Sequence, residues 1–183
     1  MTAQTARLFI AVPVADEVRR AAAGLIQELR ASGADYKWVE PDNLHLTLRF
    51  LGATPLEGLP RIEELMRRAA QRPSFEVCFG GFGAFSSWQE PRVVWVGVGR
   101  GAAELAAIAA DLGPTDDEKP HSAHLTIGRM RSRRNLERLV KAAAAARFQE
   151  LHQKIGEIVL YESFLTPQGP VYAVRIRQKL GVV

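Results

Sequence analysis

The sequence of 183 residues holds a single cysteine, Cys78, so an intrachain disulfide bond is impossible. It also lacks the roughly 20 consecutive apolar residues of a membrane span. The short apolar run 8–12 is soon followed by Asp16 and Glu17. We therefore expect a cytoplasmic protein without a targeting segment or membrane contact. Cys78 lies in the apolar run 75–79, which predicts a small buried thiol rather than a nucleophile.

Long linkers and motifs of covalent catalysis are absent as well. No proline- or serine-rich stretch separates independent domains, so residues 1–183 are expected to form one domain with two lobes. No Gly-x-Ser-x-Gly elbow is present, which disfavours a serine or cysteine nucleophile. The net charge of +4 favours an anionic partner without specifying nucleic acid.

Apolar periodicity predicts four amphipathic helices separated by short strands. One helix opens at Asp16 and stops at Gly33, and the others are predicted around 62–69, around 105–112 and after Ser132. Strands are predicted at 7–12, 44–51, 75–82, 92–98, 124–130, 155–161 and 171–177. Residues 80–91 and 113–120 are predicted loops. Because several strands follow one another directly, the order favours an α+β fold with antiparallel sheets.

The most informative feature is a short internal repeat. Residues 41–48, Pro-Asp-Asn-Leu-His-Leu-Thr-Leu, align without gaps on residues 120–127, Pro-His-Ser-Ala-His-Leu-Thr-Ile. Two of the four histidines, His45 and His124, occupy matching positions, and a threonine follows each of them two places later. A single His-x-Thr segment would indicate a structural histidine, whereas two matching copies favour a functional pair.

Strand geometry explains why this pattern suits a site. Side chains two residues apart project from the same face of a strand, so His45 points with Thr47 and His124 with Thr126. The aliphatic residues between and after them then face the core and fix the register. Two such strands brought together would line a cleft with two imidazoles and two hydroxyl groups.

That set of groups suits phosphodiester cleavage. A neutral imidazole can take a proton from water while a charged one gives a proton to the leaving oxygen, and histidine titrates near ~6.5. Threonine hydroxyls can donate hydrogen bonds to phosphate oxygens, and Arg129 would add positive charge. An ideal strand places Arg129 on the face opposite His124, unless Gly128 permits a bulge that turns it back.

A metal site is the main alternative for paired histidines. Zinc needs three or four histidine, cysteine or carboxylate ligands, and neither segment supplies a third one nearby. His121 is close to His124, but Asp42 occupies the matching position of the first segment. We therefore expect chemistry without a metal ion or any other cofactor.

The two segments resemble the paired His-x-Thr signature of the two-histidine (2H) phosphoesterase superfamily. The resemblance is greatest to its LigT-like branch, the RNA 2′,3′-cyclic phosphodiesterases, once called 2′-5′ RNA ligases. It extends over nearly the whole chain, in segments 7–12, 38–52, 81–85, 91–98, 124–129, 160–163 and 169–172.

The resemblance implies a bilobal α+β fold in which two antiparallel sheets with pseudo-twofold symmetry flank a central cleft and the helices lie outside. It implies hydrolysis of a 2′,3′-cyclic phosphate to a 2′-phosphomonoester without metal. His45 would be the general acid that protonates the leaving O3′, and His124 would be the general base for water. Thr47 and Thr126 would hold the phosphate oxygens, with Arg129 near the phosphate and nucleobase.

The segment 119–124 departs from the family pattern. Many relatives carry an arginine, a phenylalanine and a second proline there, whereas this chain has His121 for the aromatic residue and Ala123 for the second proline. We expect His121 to be a solvent-exposed loop residue rather than a contact for RNA. We expect Phe50, Phe82, Phe85 and Trp88 to pack in the core rather than to stack on a base.

The expected partner is RNA with a 2′,3′-cyclic phosphate end or a small cyclic nucleotide, bound by a monomer. Two alternatives stay open from the sequence. One is a nucleotide-binding module of the same fold without turnover. The other is the same chemistry on ADP-ribose cyclic phosphate or a 2′-5′ linked oligonucleotide, and reverse 2′-5′ ligation of RNA ends would follow from microscopic reversibility.

Overall fold

The computed structural model describes residues 4–114, 121–167 and 169–181, so most of the predicted loop 113–120 lies outside the described residues. These residues form nine β-strands, four α-helices and two short 3-10 helices at Pro41–Asn43 and Leu56–Gly58. The strands are β1 (Thr5–Pro13), β2 (Tyr36–Trp38), β3 (His45–Pro55), β4 (Phe75–Ser87), β5 (Glu90–Val98), β6 (His124–Met130), β7 (Leu151–Ile155), β8 (Glu157–Thr166) and β9 (Gly169–Lys179). The α-helices are α1 (Asp16–Arg30), α2 (Leu59–Ala69), α3 (Ala102–Asp111) and α4 (Leu136–Ala145).

The strands pair in the order β7-β4-β5-β6-β3-β1-β8-β9, with β2 beside β6, and every pairing is antiparallel. The expected α+β fold with antiparallel strands is confirmed. The two expected sheets are joined into one nine-stranded sheet, because β3 and β6 pair at a single position, Leu46 with Leu125. One half of the sheet consists of β7, β4, β5 and β6, and the other of β3, β1, β8 and β9. Each half thus places its His-x-Thr strand at the junction.

Helices α1 and α3 connect the two halves, because each packs against the half opposite to the strand that it follows. Helix α1 follows β1 but packs against β6, β7 and α4, while α3 follows β5 but packs against β3 and α2. Both halves contribute to one hydrophobic core, in which Leu46 and Leu125 are fully buried. The helical spacing of apolar residues in all four predicted stretches therefore reflects burial against the sheet. Within the described ranges, no helix has the length and apolar character to cross a membrane.

The prediction of a loop at residues 80–91 is wrong. Strand β4 continues to Ser87, and β5 begins at Glu90 after a two-residue turn, so the two strands form a hairpin. Glycine has a low strand propensity, but Gly83 is required here because a Cβ at this position would lie 2.7 Å from the Trp95 ring. Gly83, one of the glycines that suggested a loop, therefore makes room for a tryptophan.

Two short strands were not predicted. Strand β2 has three residues, too few for a periodic pattern, and β7 places exposed polar residues between its buried ends. Both strands owe their conformation to pairing with a longer neighbour, β6 for β2 and β4 for β7.

Candidate active site

The junction of the two halves brings the predicted histidines and threonines together. The leucine that follows each histidine pairs with its counterpart across β3 and β6, and both leucines are buried. The histidine and threonine on either side of each leucine therefore lie on the opposite face. Because the strands run antiparallel, this register brings His45 towards Thr126 and His124 towards Thr47. All four side chains are half-buried.

Each imidazole is fixed by a backbone carbonyl two residues earlier. His45 Nδ1 lies 2.7 Å from the carbonyl oxygen of Asn43, and His124 Nδ1 lies 2.7 Å from that of Ser122. A carbonyl oxygen only accepts, so Nδ1 carries the hydrogen in both rings. Nε2 is then the proton acceptor of a neutral ring and the second N–H donor of a charged ring. The side chain of Asn43 donates to the Pro170 carbonyl at 2.8 Å, which ties this acceptor to β9.

The surroundings of the two rings differ. The His45 ring contacts three aromatic rings, with centroids at 4.9 Å for Phe9, 5.5 Å for Tyr172 and 6.5 Å for Tyr161. The His124 ring contacts Phe85 edge-on at 5.0 Å. None of Phe9, Tyr161 and Tyr172 was selected from the sequence, because they come from three other strands and carry no local signal.

Both histidines titrate below the ordinary range. Burial lowers the pKa of His45 and of His124, while the bonds to the backbone carbonyls act in the opposite direction. The positive charge of Arg129 lowers the pKa of both rings further. In the free protein the neutral form of each ring is therefore favoured at neutral pH. A bound phosphate would bring negative charge and favour protonation again.

A bulge in β6 places Arg129 on the histidine face. Adjacent residues of β5 pair with Thr126 and Gly128, so Ile127 is the extra residue in β6. Ile127 and Gly128 are consecutive buried residues, and the alternation of faces shifts at this point. Glycine is needed at position 128 because a Cβ there would lie 2.7 Å from the Trp38 ring. The extra residue in β6 gives Arg129 the orientation that an ideal strand would not allow.

His121 is not the solvent-exposed loop residue that we expected. It is half-buried, and its Nε2 donates to the Thr47 carbonyl at 2.9 Å, a bond that links the segment before β6 to β3. This carbonyl is available because β3 and β6 pair at one position only. Positive charge on His121 also lowers the pKa of His124. Lys119 and Pro120 lie outside the described residues.

The four aromatic candidates for base stacking separate into two pairs. Phe82 and Trp88 pack edge-to-face at 5.9 Å and lie against the core, as expected. Core packing is the wrong expectation for Phe50, which is 63% exposed, and for Phe85, which is 37% exposed. These two side chains are available to a ligand.

A groove of about 280 Å³ adjoins His45 and is lined in part by Arg7, Phe9, Phe50 and Tyr172. Phe9 and Tyr172 also contact the His45 ring, so the groove continues directly from the site. A larger groove of about 760 Å³, between Trp88 and the start of α4, contains none of the predicted site residues.

Comparison with known sequences agrees with this arrangement. A family model described as LigT like Phosphoesterase matches residues 12–95 and 97–172. An RNA 2′,3′-cyclic phosphodiesterase of Archaeoglobus fulgidus is 39% identical over 175 residues, covering 91% of this chain and 96% of that protein. A protein of the same name from Thermotoga maritima is 34% identical over 176 residues, covering 92% of each chain.

Solved structures show the same fold. Escherichia coli LigT in complex with 3′-AMP has a TM-score of 0.77 at 25% identity, covering 97% of this chain and 99% of that chain. A protein of Thermus thermophilus has a structure with a TM-score of 0.73 at 30% identity, covering 96% of this chain and 98% of that chain. The residues matched by the family model include both His-x-Thr segments of this chain. The chain therefore belongs to the family of LigT-like phosphoesterases.

Proposed function

We propose that this chain hydrolyses the 2′,3′-cyclic phosphate ends of RNA to 2′-phosphomonoesters. The observation that carries this proposal is the pair of imidazoles on adjacent antiparallel strands, each held at Nδ1 by a carbonyl and each accompanied by a threonine. Such a pair supplies an acid and a base on one face of the sheet. The name shared by relatives at 39% and 34% identity supports the same activity.

In the proposed reaction, neutral His124 takes a proton from water while the water oxygen attacks phosphorus. The bond between phosphorus and O3′ breaks, and charged His45 gives its Nε2 proton to O3′. The products are a 2′-phosphomonoester and a free 3′-hydroxyl. Thr47 and Thr126 donate hydrogen bonds to the non-bridging oxygens, and Arg129 stabilises the negative charge as it moves. The division into acid and base follows the family resemblance.

Binding of the substrate must favour protonation of His45. Burial and Arg129 lower the pKa of His45, so the free protein holds this ring mostly neutral at neutral pH. A cyclic phosphate carries a negative charge, which favours protonation of the rings that flank it. Binding of the substrate therefore prepares the acid that the reaction needs.

The groove beside His45 suits the nucleoside of the substrate. The exposed Phe50 ring and the half-buried Tyr172 ring offer surfaces on which a base can stack, and Arg7 adds positive charge. The complex of Escherichia coli LigT with 3′-AMP supports a nucleotide ligand for this fold. We propose RNA ends as the main substrate and small cyclic nucleotides as poorer ones, because a longer RNA carries more phosphates for this protein of net charge +4 to attract.

We further propose that the reaction needs no metal ion or cofactor and that the protein acts as a single-domain monomer. Two imidazoles can perform both proton transfers, so no step of the reaction requires a Lewis acid. By microscopic reversibility, the same residues would join a 2′,3′-cyclic phosphate end to a 5′-hydroxyl through a 2′-5′ linkage. We propose this ligation as a minor activity, because water competes with the second RNA.

The test is hydrolysis of a short RNA ending in a 2′,3′-cyclic phosphate, measured in EDTA for the wild type, His45→Ala and His124→Ala. The expected product is the 2′-phosphate, and each variant should lose at least ~10²-fold in kcat. Thermal unfolding of each variant controls for the fold. Lack of turnover by well-folded wild type, on RNA and on small cyclic nucleotides, would contradict the proposal and favour a nucleotide-binding module.

A further inference from the structure

A second group of reactive side chains lies near the outer edge of the sheet, on β4 and β7. The sulfur of Cys78, a carboxylate oxygen of Glu150 and an imidazole nitrogen of His152 all lie within 4.8 Å of one another. Strand β7 is the outermost strand of its half, and β5 separates β4 from the His124 strand. This group, which we call the edge cluster, is therefore separate from the proposed active site.

Strand pairing holds two members of the edge cluster at close range. Cys78 and His152 are directly paired across β4 and β7. The Cys78 amide donates to the Arg100 carbonyl and the Cys78 carbonyl accepts from the Gly99 amide, both at 3.0 Å on the side away from β7. Cys78 and His152 therefore form a non-hydrogen-bonded pair, the kind in which side chains approach most closely, with Cα atoms ~4.5 Å apart.

Two glutamates complete the surroundings of the His152 ring. Glu150 lies two residues before His152, and Glu76 lies two residues before Cys78, so all four side chains share one face of the strand pair. His152 Nε2 is 3.3 Å from a Glu150 carboxylate oxygen, and His152 Nδ1 is 3.4 Å from Glu76 Oε1. The ring thus has a carboxylate at each nitrogen.

We propose that Cys78, Glu150 and His152 bind a zinc ion. Thiolate, imidazole and carboxylate are the ligands that Zn²⁺ takes in proteins, at ~2.3 Å for sulfur and ~2.0–2.2 Å for nitrogen and oxygen. Ligand atoms within 4.8 Å of one another need only small side-chain rotations to reach these distances. His152 Nε2 is the nitrogen on the side of Glu150 and takes the metal, with a water molecule as the fourth ligand.

Glu76 has a different role in this site. Once Nε2 binds zinc, Nδ1 carries a hydrogen and donates it to Glu76, an arrangement that orients the ring and strengthens it as a ligand. The guanidinium of Arg100 is 3.1 Å from the same Glu76 oxygen, and Lys154 is paired with Glu76 across the strands. These cations offset the charge of Glu76 and leave the Glu150 carboxylate for the metal. The thiol of Cys78 loses its proton on binding.

The burial of one member distinguishes this cluster from an ordinary set of surface ion pairs. Cys78 is only 9% exposed, whereas the side chains of His152 and Glu150 are 50% and 69% exposed. Bound zinc would connect the outermost strand β7 to β4 through side chains. The proposal departs from our expectation that the protein binds no metal, which rested on the two histidine segments alone.

The experiment uses the full chain, freed of metal, and measures binding of Zn²⁺ by competition with a chromophoric chelator. We expect one equivalent to bind, with affinity reduced ~10- to 100-fold in Glu76→Gln and at least as much in Cys78→Ser and His152→Ala. Co²⁺ bound in place of zinc should show a thiolate-to-metal charge-transfer band that Cys78→Ser abolishes. The double variant His45→Ala/His124→Ala is the matched control and should bind Zn²⁺ like the wild type.

Zinc that binds only to the folded chain should also raise the melting temperature of the wild type and not that of Cys78→Ser. His152→Ala changes an exposed side chain, so its fold should be intact even if that of Cys78→Ser is not. Equal zinc affinity in the wild type, Cys78→Ser and His152→Ala, or a cobalt complex without the thiolate band, would overturn the proposal. Cyclic phosphate hydrolysis by metal-free Cys78→Ser should equal that of the wild type, which keeps this test independent of the proposed function.

Discussion

The two halves of the sheet present the same His-x-Thr strand in different surroundings. His45 lies among three aromatic rings, and the carbonyl that holds it belongs to Asn43, which is itself bonded to β9. His124 touches one ring, and its carbonyl partner, Ser122, is exposed. The internal repeat therefore supplies a histidine and a threonine twice. The other strands of each half determine how far the imidazole is shielded from water and how firmly it is held.

This difference agrees with the proposed division of roles. A general base for water benefits from a position that water can enter, as at His124. A general acid for the leaving oxygen benefits from an enclosed ring whose orientation is fixed before the reaction, as at His45. If the comparison holds, the two histidine variants should lose activity for different reasons.

The largest expected effect separates acid from base. A cyclic substrate with sulfur in place of O3′ has a leaving group that departs without protonation. On the oxygen substrate both His45→Ala and His124→Ala should lose at least ~10²-fold. On the sulfur substrate the loss in His45→Ala should shrink by ~10-fold or more, while that in His124→Ala should persist. The measurement is kcat/KM for both substrates with the wild type and the two variants.

A control is needed for the sulfur substitution itself, and the ratio of the wild-type rates on the two substrates provides it. If the sulfur substrate restored activity to His124→Ala instead, the acid and base assignments would be reversed. Equal losses on both substrates in both variants would show that neither ring acts as the acid.

How far the sequence predicts this site depends on how close together along the chain the interacting residues are. The histidines and threonines were identified from a local repeat, and the sheet places all four on one face. The position of Arg129 could not be predicted, because it depends on a bulge that arises where Trp38 packs on Gly128. The aromatic rings around His45 come from β1, β8 and β9, which are distant in sequence. Local patterns thus predict reactive groups better than they predict environments.

Arg129 acts on the imidazoles of both halves, and its removal should bring a smaller effect than loss of either histidine. Arg129→Gln removes the positive charge that lowers the pKa of both rings, so both pKa values should rise. Both limbs of the pH profile of kcat/KM should therefore move to higher pH. Loss of transition-state stabilisation should also reduce kcat by ~10- to 10²-fold at the optimum.

Arg129→Lys keeps the charge and serves as the control, since it should retain the pH limbs of the wild type whatever its rate. NMR titration of the two imidazoles in the free protein checks the same shift without turnover. Unchanged pKa values in Arg129→Gln would mean that this arginine lies too far from the rings to act on them.

The smallest effect concerns the bond between His121 and the Thr47 carbonyl, which distinguishes one half from the other. The exposed Asp42 occupies the matching position of the other half, so Asp42→Ala is a control at an equivalent place. His121→Ala should lower the free energy of unfolding by about 1 kcal/mol and kcat by ~5-fold. The rate falls because this bond supplements the single residue pair that holds the two histidine strands together.

His121→Gln distinguishes this positioning role from simple loss of packing. A glutamine amide can donate to the same carbonyl without the ring, so it should restore kcat more than it restores stability. Equal effects of His121→Ala and Asp42→Ala would remove the distinction between the halves at this position. A change in KM alone would instead make His121 a substrate contact, in place of a connection that sets the spacing of the two imidazoles.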